Sequence, residues 1–318
     1  MPKPNNRPAT LTGLAVGDAL GVPFETHHFM STELAKWDGS FVASRGINTL
    51  QPERKAGEWS DDTIMATSLA ASIVEHSTYN PVAAAAAYVE WYDTGDHRGM
   101  GANTRAALER LKQGYHWINA GLLHSEGNGS AMRAAPIGLF YRNSLVTTSD
   151  MARTDAQITH RSIEAQEGSA AMALAVAMLA RGLVVPMNVT KAVAELLNES
   201  KLRARLQKDI AWRAEGIRTL KETMTYLLEA GTGAHVVESV PAAFMCFAAS
   251  TNFKDTVELA VRLGGDTDTV ASMAGTLAGT FYGYEQVQPY LEKLEDGESI
   301  NHLNNLVYLG APLFQEEP

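Results

Sequence analysis

Residues 269–282 read TVASMAGTLAGTFY, with Ala271, Ala274, Gly275, Ala278 and Gly279 three or four positions apart. Residues at that spacing share one face of a helix. A face almost without side chains lets a neighbouring backbone approach closely, so this segment points to helix packed on helix. Most of the remaining chain carries helical period. Helices are expected at Thr10–Leu20, Asp62–Glu75, from Pro81 onward, and at Thr104–Gln113, Ala131–Tyr141 and Ser149–His160. Others are expected at Ser162–Ala180, Met187–Asn198, Ala214–Leu228, His235–Ala249 and Asn252–Arg262, with Pro241 marking a kink or an early turn. No run shows the period-two alternation of a strand, and the apolar content is mostly Ala, Leu, Val and Met. An all-α fold follows. We expect one domain over residues 10–318 behind a disordered, Pro-rich tail at 1–9. Residues 26–60 read as a long loop, a length uncommon unless functional.

Composition removes several classes of function. Hydrophobic residues at 45% and charged residues at 19% are globular values, not those of a disordered chain. A formal charge of −10 argues against a nucleic-acid surface. The single cysteine, Cys246, lies in an apolar run, so no disulfide forms within the chain and a buried, inert thiol is expected. No segment reaches the ~18 consecutive apolar residues of a membrane helix, and MPKPNNRPAT lacks a signal-peptide core. We therefore expect a cytoplasmic protein with no membrane partner.

Two segments carry unusual chemistry: GEWSDDT at 57–63 and GGDTDT at 264–269. Each puts two carboxylates and hydroxyls where a loop becomes a helix. Adjacent aspartates repel, more so when buried. Helix capping explains one such segment. Two of them, each followed by a very apolar helix, supply more carboxylates than caps require. Caps and cation ligands both remain open on this pattern alone. Carboxylates and hydroxyls are hard oxygen donors, suited to Mg²⁺, Mn²⁺ or Ca²⁺; no zinc spacing occurs.

Three further features are candidates. Glu25 follows Val22, Pro23 and Phe24, where it is either solvated or a carboxylate in an apolar pocket able to act as a base. The Gly-rich turn in GNGSAMRAAP, residues 127–136, is either a plain loop or a backbone cradle for an anion. His160 ends a helix and serves either free carbonyls or a substrate. Trp59, Tyr115 and Trp117 are available to stack on a base or to pack.

Taken in order, GLAVGDALGVPFE, GEWSDDT, GNGSAMRAAP, ITH and GGDTDT resemble the ADP-ribosylglycohydrolase family, which includes the dinitrogenase reductase-activating glycohydrolases. The resemblance covers roughly residues 10–283. It implies a compact, single-domain orthogonal helical bundle with two divalent cations, Mg²⁺ or Mn²⁺, in a cleft. By motif position the metal ligands would be Ser60, Asp61, Asp62, Asp266, Asp268 and Thr269. Glu25 and Asp62 would serve catalysis. Gly127, Asn128, Gly129, Ser130 and Met132 would hold the ADP-ribose phosphates, with His160 near the ribose. The implied activity is hydrolysis of the C1″ glycosidic bond of ADP-ribosylated protein side chains, arginine-linked foremost, or of an ADP-ribosyl small molecule, by a monomer.

Two departures stand out. Ser60 occupies a position where many relatives have Thr, keeping the oxygen donor. In arginine-specific relatives an acidic residue precedes the TR-containing helix; here Asp96 in GDHRGMGANTR is the nearest acid, without a secure match. The segment 26–56 would face the substrate entrance. The alternatives are another ADP-ribosyl linkage, a dimetal nucleotide phosphohydrolase, and a non-catalytic ADP-ribose binder.

Overall fold

The computed structural model describes residues 7–25, 27–28, 30–45, 53–216 and 218–312. The helices in chain order are α1 (Thr10–Gly21), α2 (Thr32–Lys36), α3 (Asp61–His76), α4 (Pro81–Asp93), α5 (Ala102–Lys112), α6 (Trp117–Ala120), α7 (Ala135–Phe140), α8 (Leu145–Ala156) and α9 (Ile163–Ala180). They continue as α10 (Pro186–Leu196), α11 (Lys201–Ala214), α12 (Leu220–Ala230), α13 (Val236–Ala249), α14 (Phe253–Arg262), α15 (Thr267–Tyr282), α16 (Tyr284–Val287) and α17 (Gly297–Leu309). Short 3₁₀ turns follow α1 and α16. Among the described residues there is no strand, only three isolated bridges, and no helix is long and apolar enough to cross a membrane. The all-α architecture is as the sequence implies.

The centre of the molecule is the pair α1 and α15, the most extensive helix contact in the structure. Every residue of α1 is buried, as expected for a helix apolar on all sides. The small-residue stripe explains the closeness. A β-carbon on Gly13 would fall 2.4 Å from the Gly275 carbonyl oxygen, and one on Gly275 would fall 2.2 Å from the Gly13 oxygen. The two backbones therefore touch without intervening side chains. α3, α9, α13, α14 and α17 surround this pair, and one apolar cluster runs from Ala9 to Val307.

Three points differ from the sequence reading. The start of the expected tail, residues 1–6, lies outside the described residues. Residues 7–9 are tied down: the Arg7 carbonyl accepts from the Tyr284 N–H, the Pro8 carbonyl from Asn304 Nδ2, and the Ala9 N–H donates to Gly279. The helix expected at His235–Ala249 is α13, and it runs through Pro241. The carbonyl that loses its helical donor to Pro241 is that of Val237, and Arg205 Nη1 reaches it at 3.4 Å. The charged segment Lys201–Ala214, which the sequence reading leaves unassigned, is α11. The long loop contains α2 and a bridge between Ser44 and Arg54.

Candidate active site

The site is organised by a residue that sequence reasoning passed over. Asp18, on the wholly buried α1, accepts the Ser60 N–H at 2.9 Å, the Thr63 N–H at 3.0 Å and the Thr63 hydroxyl at 2.6 Å. These amides belong to the first turn of α3, where helix N–H groups lack internal partners. Asp18 thus caps α3 from another helix and fixes where its aspartates point. The available signal was a single carboxylate within an apolar helix, GLAVGDALG, since an unpaired buried charge is costly.

The two DD/DTD segments do converge. Ser60 is the N-cap of α3, and its hydroxyl donates to Asp62 Oδ2 at 3.2 Å. The Thr269 hydroxyl reaches the same oxygen. Asp62 Oδ1 is buried and has no hydrogen-bond partner among the described residues. At the start of α15, Asp268 accepts the Thr269 N–H at 2.9 Å. Asp266 accepts from Asn128 Nδ2 at 2.6 Å.

Asp18, Asp62 and Asp268 each offer an oxygen within 4.8 Å of the others, and so do Glu25, Asp266 and Asp268. Asp268 belongs to both groups. Asp61 belongs to neither; its carboxylate lies against Gly99, where a β-carbon would fall 2.3 Å from Oδ1.

Electrostatics make the cluster unstable as bare carboxylates. Burial, then the neighbouring charges of Asp18, Asp61 and Asp266, push the Asp62 carboxyl well above the usual range. Burial and Glu25, Asp266, Asp62 and Asp18 do the same to Asp268. Asp61 is raised similarly by burial, Asp18 and Glu25. Asp18 and Asp266 are also raised by burial, against the hydrogen bonds they accept. Arg54, nearly fully buried, is a nearby cation, and its Nη1 donates to the Trp59 carbonyl. An all-oxygen donor set with an orphaned, buried Oδ1 fits hard divalent cations.

The Gly-rich turn adjoins this cluster through the Asn128–Asp266 bond. It does not open a helix directly: residues 130–133 are turns, and α7 begins at Ala135. Some of its groups are engaged. The Asn128 N–H donates to Ala234, the Met132 N–H to Asn128, and the Ser130 hydroxyl to the Ala165 carbonyl. Met132 and Ser130 are buried. The His160 ring covers the turn: a β-carbon on Gly129 would come 2.8 Å from its Cε1. Burial, then the charge of Arg133, lowers the His160 pKa to about 3, so the imidazole is neutral.

Beside Glu25 opens a cavity of about 650 Å³, lined by His27, Trp37, Ser44, Arg45 and Arg54 among others. It is built largely from the long loop. Residues 46–52 of that loop lie outside the described residues. Four other candidates serve packing or lie apart. Trp59 Nε1 donates to the Glu295 carbonyl, and Arg98 covers its ring at 4.9 Å. Trp117 packs at the edge of the core, and Tyr115 is exposed. Asp96 is held by Arg98, Nε at 2.8 Å and Nη2 at 2.7 Å, which lowers its pKa.

Comparison with known proteins bears on the family and the fold. The ADP-ribosylglycohydrolase family model matches residues 8–315. An uncharacterised protein of Archaeoglobus fulgidus is 33% identical over 94% of each chain. The ADP-ribosylarginine hydrolase Tri1 of Serratia proteamaculans is 29% identical over 95% of this chain and 78% of its own. Human ADP-ribosylhydrolase ARH3 is 28% identical over 87% of this chain and 85% of its own. A solved structure, an ADP-ribosylglycohydrolase-related protein complex, superposes with a TM-score of 0.71 at 28% identity, covering 95% of this chain and 96% of the other. Motif order, fold and family match agree: the chain belongs to the ADP-ribosylglycohydrolase family.

Proposed function

We propose that this protein hydrolyses the C1″ glycosidic bond of ADP-ribosylated side chains, arginine-linked ones foremost, and releases ADP-ribose. The observation that carries this reading is the sharing of Asp268 between two carboxylate groups, one with Asp18 and Asp62, the other with Glu25 and Asp266. That arrangement suits two adjacent cations, Mg²⁺ or Mn²⁺. Their ligands would come from Ser60, Asp61, Asp62, Asp266, Asp268 and Thr269, together with Asp18. When bound, such cations supply Lewis-acid charge for orienting a ribose diol and activating water.

The chain's own residues do the rest. Glu25 stands between the carboxylate cluster and the cavity, where it can take a proton from water. The positive charge that develops on the sugar in such reactions is favoured by surrounding carboxylates. The Gly127–Ser130 turn and Met132 cradle the diphosphate, and the Asn128–Asp266 bond keeps that cradle in register with the cluster. His160 closes over the turn beside the sugar. The cavity beside Glu25 would receive the acceptor side chain.

The test is a panel of defined ADP-ribosyl linkages with Mg²⁺ or Mn²⁺, followed by product analysis. Release of intact ADP-ribose, lost in Asp268→Ala, is the expected result. Formation of AMP or inorganic phosphate would transfer the site to a phosphohydrolase. The preferred linkage in that panel decides the acceptor.

A further inference from the structure

Beneath the Gly-rich turn lies a network that the reaction outlined above does not use. Arg133 is fully buried, with its guanidinium 4.6 Å above the Tyr88 ring. Its Nε donates to Asp155 Oδ2 at 2.8 Å and its Nη2 to the Asp155 carbonyl at 2.8 Å. Nη1 donates to the Gly129 carbonyl at 3.3 Å and to the Thr159 hydroxyl oxygen at 2.7 Å. The same hydroxyl lies 2.7 Å from His160 Nδ1. One buried cation therefore shapes the turn and, through Thr159, contacts the ring that covers it.

The donors in this chain can be counted. Arginine stays protonated and only donates, so Thr159 Oγ1 accepts from Arg133. The threonine hydroxyl has one hydrogen to give, and among the described residues the only acceptor beside it is His160 Nδ1. If Nδ1 carried the ring proton instead, the buried hydroxyl hydrogen would have no acceptor, at a cost on the order of 1–3 kcal/mol. The hydroxyl therefore donates to Nδ1, and the single proton of the neutral imidazole sits on Nε2. Nε2 has no hydrogen-bond partner among the described residues and faces the turn, 3.3 Å from where a Gly127 β-carbon would stand.

We propose that Arg133 and Thr159 are positioning residues that lock His160 as the Nε2–H tautomer, presenting an N–H donor to ADP-ribose on the Gly127–Ser130 turn. The identity of the ligand rests on the function proposed above; the tautomer does not. A neutral histidine donor attracts a diphosphate-bearing ligand less through charge than through direction, and its tautomer must then be fixed by its neighbours.

The experiment is nitrogen NMR on histidine-labelled protein with Mg²⁺, free and with ADP-ribose, His160 being assigned from the signal missing in His160→Gln. Wild type is expected to show protonated Nε2 and accepting Nδ1. Thr159→Val should mix the tautomers and weaken ADP-ribose about 10-fold, raising KM more than it lowers kcat. Thr159→Ser should restore both. Wild-type protonation at Nδ1, or a Thr159→Val protein with unchanged tautomer and affinity, overturns the proposal. An Nε2–H ring in a wild type that does not bind ADP-ribose would overturn the reading of the turn instead. The wild-type spectrum decides the tautomer even if a variant does not fold.

Discussion

The Thr269 hydroxyl donates to Asp62 Oδ2 at 3.2 Å, joining the first turns of α15 and α3 across 207 residues of chain. Asp62 also takes the Ser60 hydroxyl on that oxygen, which leaves Oδ1 buried and, among the described residues, unpartnered. The two helix starts thus bring Asp62 and Asp268 into one three-carboxylate group with Asp18, and Oδ1 of Asp62 is left without a hydrogen-bond partner among the described residues.

Replacing Asp62 by Asn keeps the shape and removes the charge. Mn²⁺ affinity should fall by about 100-fold or more, and hydrolysis with it, measured by calorimetric titration and product release. In chelator the same variant should melt higher than wild type, because one of several repelling buried carboxylates is gone. Wild-type Mn²⁺ affinity in this variant would remove Asp62 from the ligand set.

The metal-free protein should have an inverted pH dependence. Asp61, Asp62 and Asp268 have carboxyls raised well above the usual range, and Asp18 and Asp266 are raised as well. Where folded pKa exceeds unfolded pKa, the native state holds more protons. The stabilisation is full below the ordinary carboxylate value and is lost as pH rises through the raised values. His160 works the other way: its depressed value costs stability as pH falls below about 6.5. Five carboxylates outweigh one imidazole, so Tm in chelator should rise from about pH 8 towards about pH 5. Saturating Mn²⁺, which competes with protons for the same oxygens, should reverse that slope. Parallel slopes with and without metal would contradict the assignment.

Part of this candidate site is legible in the sequence, for identifiable reasons. Ser60, Asp61 and Asp62, like Asp266, Asp268 and Thr269, announce themselves because adjacent carboxylates before apolar helices demand an explanation. Asp18 does not, because a lone Asp inside GLAVGDALG has no neighbour of its kind, and its partners Ser60 and Thr63 are more than 40 positions away. α11 escapes because Lys201–Ala214 lies at the surface, with only Leu202, Leu206 and Asp209 buried. The helix at His235–Ala249 is legible, but the Arg205 guanidinium that reaches the Val237 carbonyl freed by Pro241 comes from another helix. A tertiary partner of that kind has no local signature.

Asp96 is the acid nearest the TR-containing helix, so its removal tests how this chain handles the acceptor. Its carboxylate is engaged by Arg98, which also pairs with Glu295 at 2.9 Å. Asp96→Ala should therefore leave Arg98 held by Glu295 and lower hydrolysis of arginine-linked substrate by no more than about 10-fold. Loss of one exposed ion pair is worth roughly 0–1 kcal/mol. A loss near that of Asp268→Ala, in a protein with normal Mn²⁺ affinity, would make Asp96 a catalytic acid.

Gly17 links the packing of the core to the chemistry of the cluster. A β-carbon there would fall 2.0 Å from the Ala271 carbonyl oxygen, 2.6 Å from its carbon and 2.9 Å from the Ser272 nitrogen. All three are backbone atoms of α15, so no side chain can swing aside and the helices must separate. Alanine is intrinsically better in a helix than glycine by about 1 kcal/mol, so the sign of the change is set by the collision. Gly17→Ala should destabilise by about 1–3 kcal/mol or more. It should also weaken Mn²⁺ binding although no ligand is altered, because α1 carries Asp18 and α15 carries Asp268, which share one three-carboxylate group. Gly101→Ala, where nothing lies within 4 Å of an added β-carbon, is the control and should change stability by less than about 1 kcal/mol. Thermal melts and Mn²⁺ titrations of the two variants decide the matter. A Gly17→Ala protein with wild-type Tm and wild-type Mn²⁺ affinity would show that the helix spacing does not set the cation site.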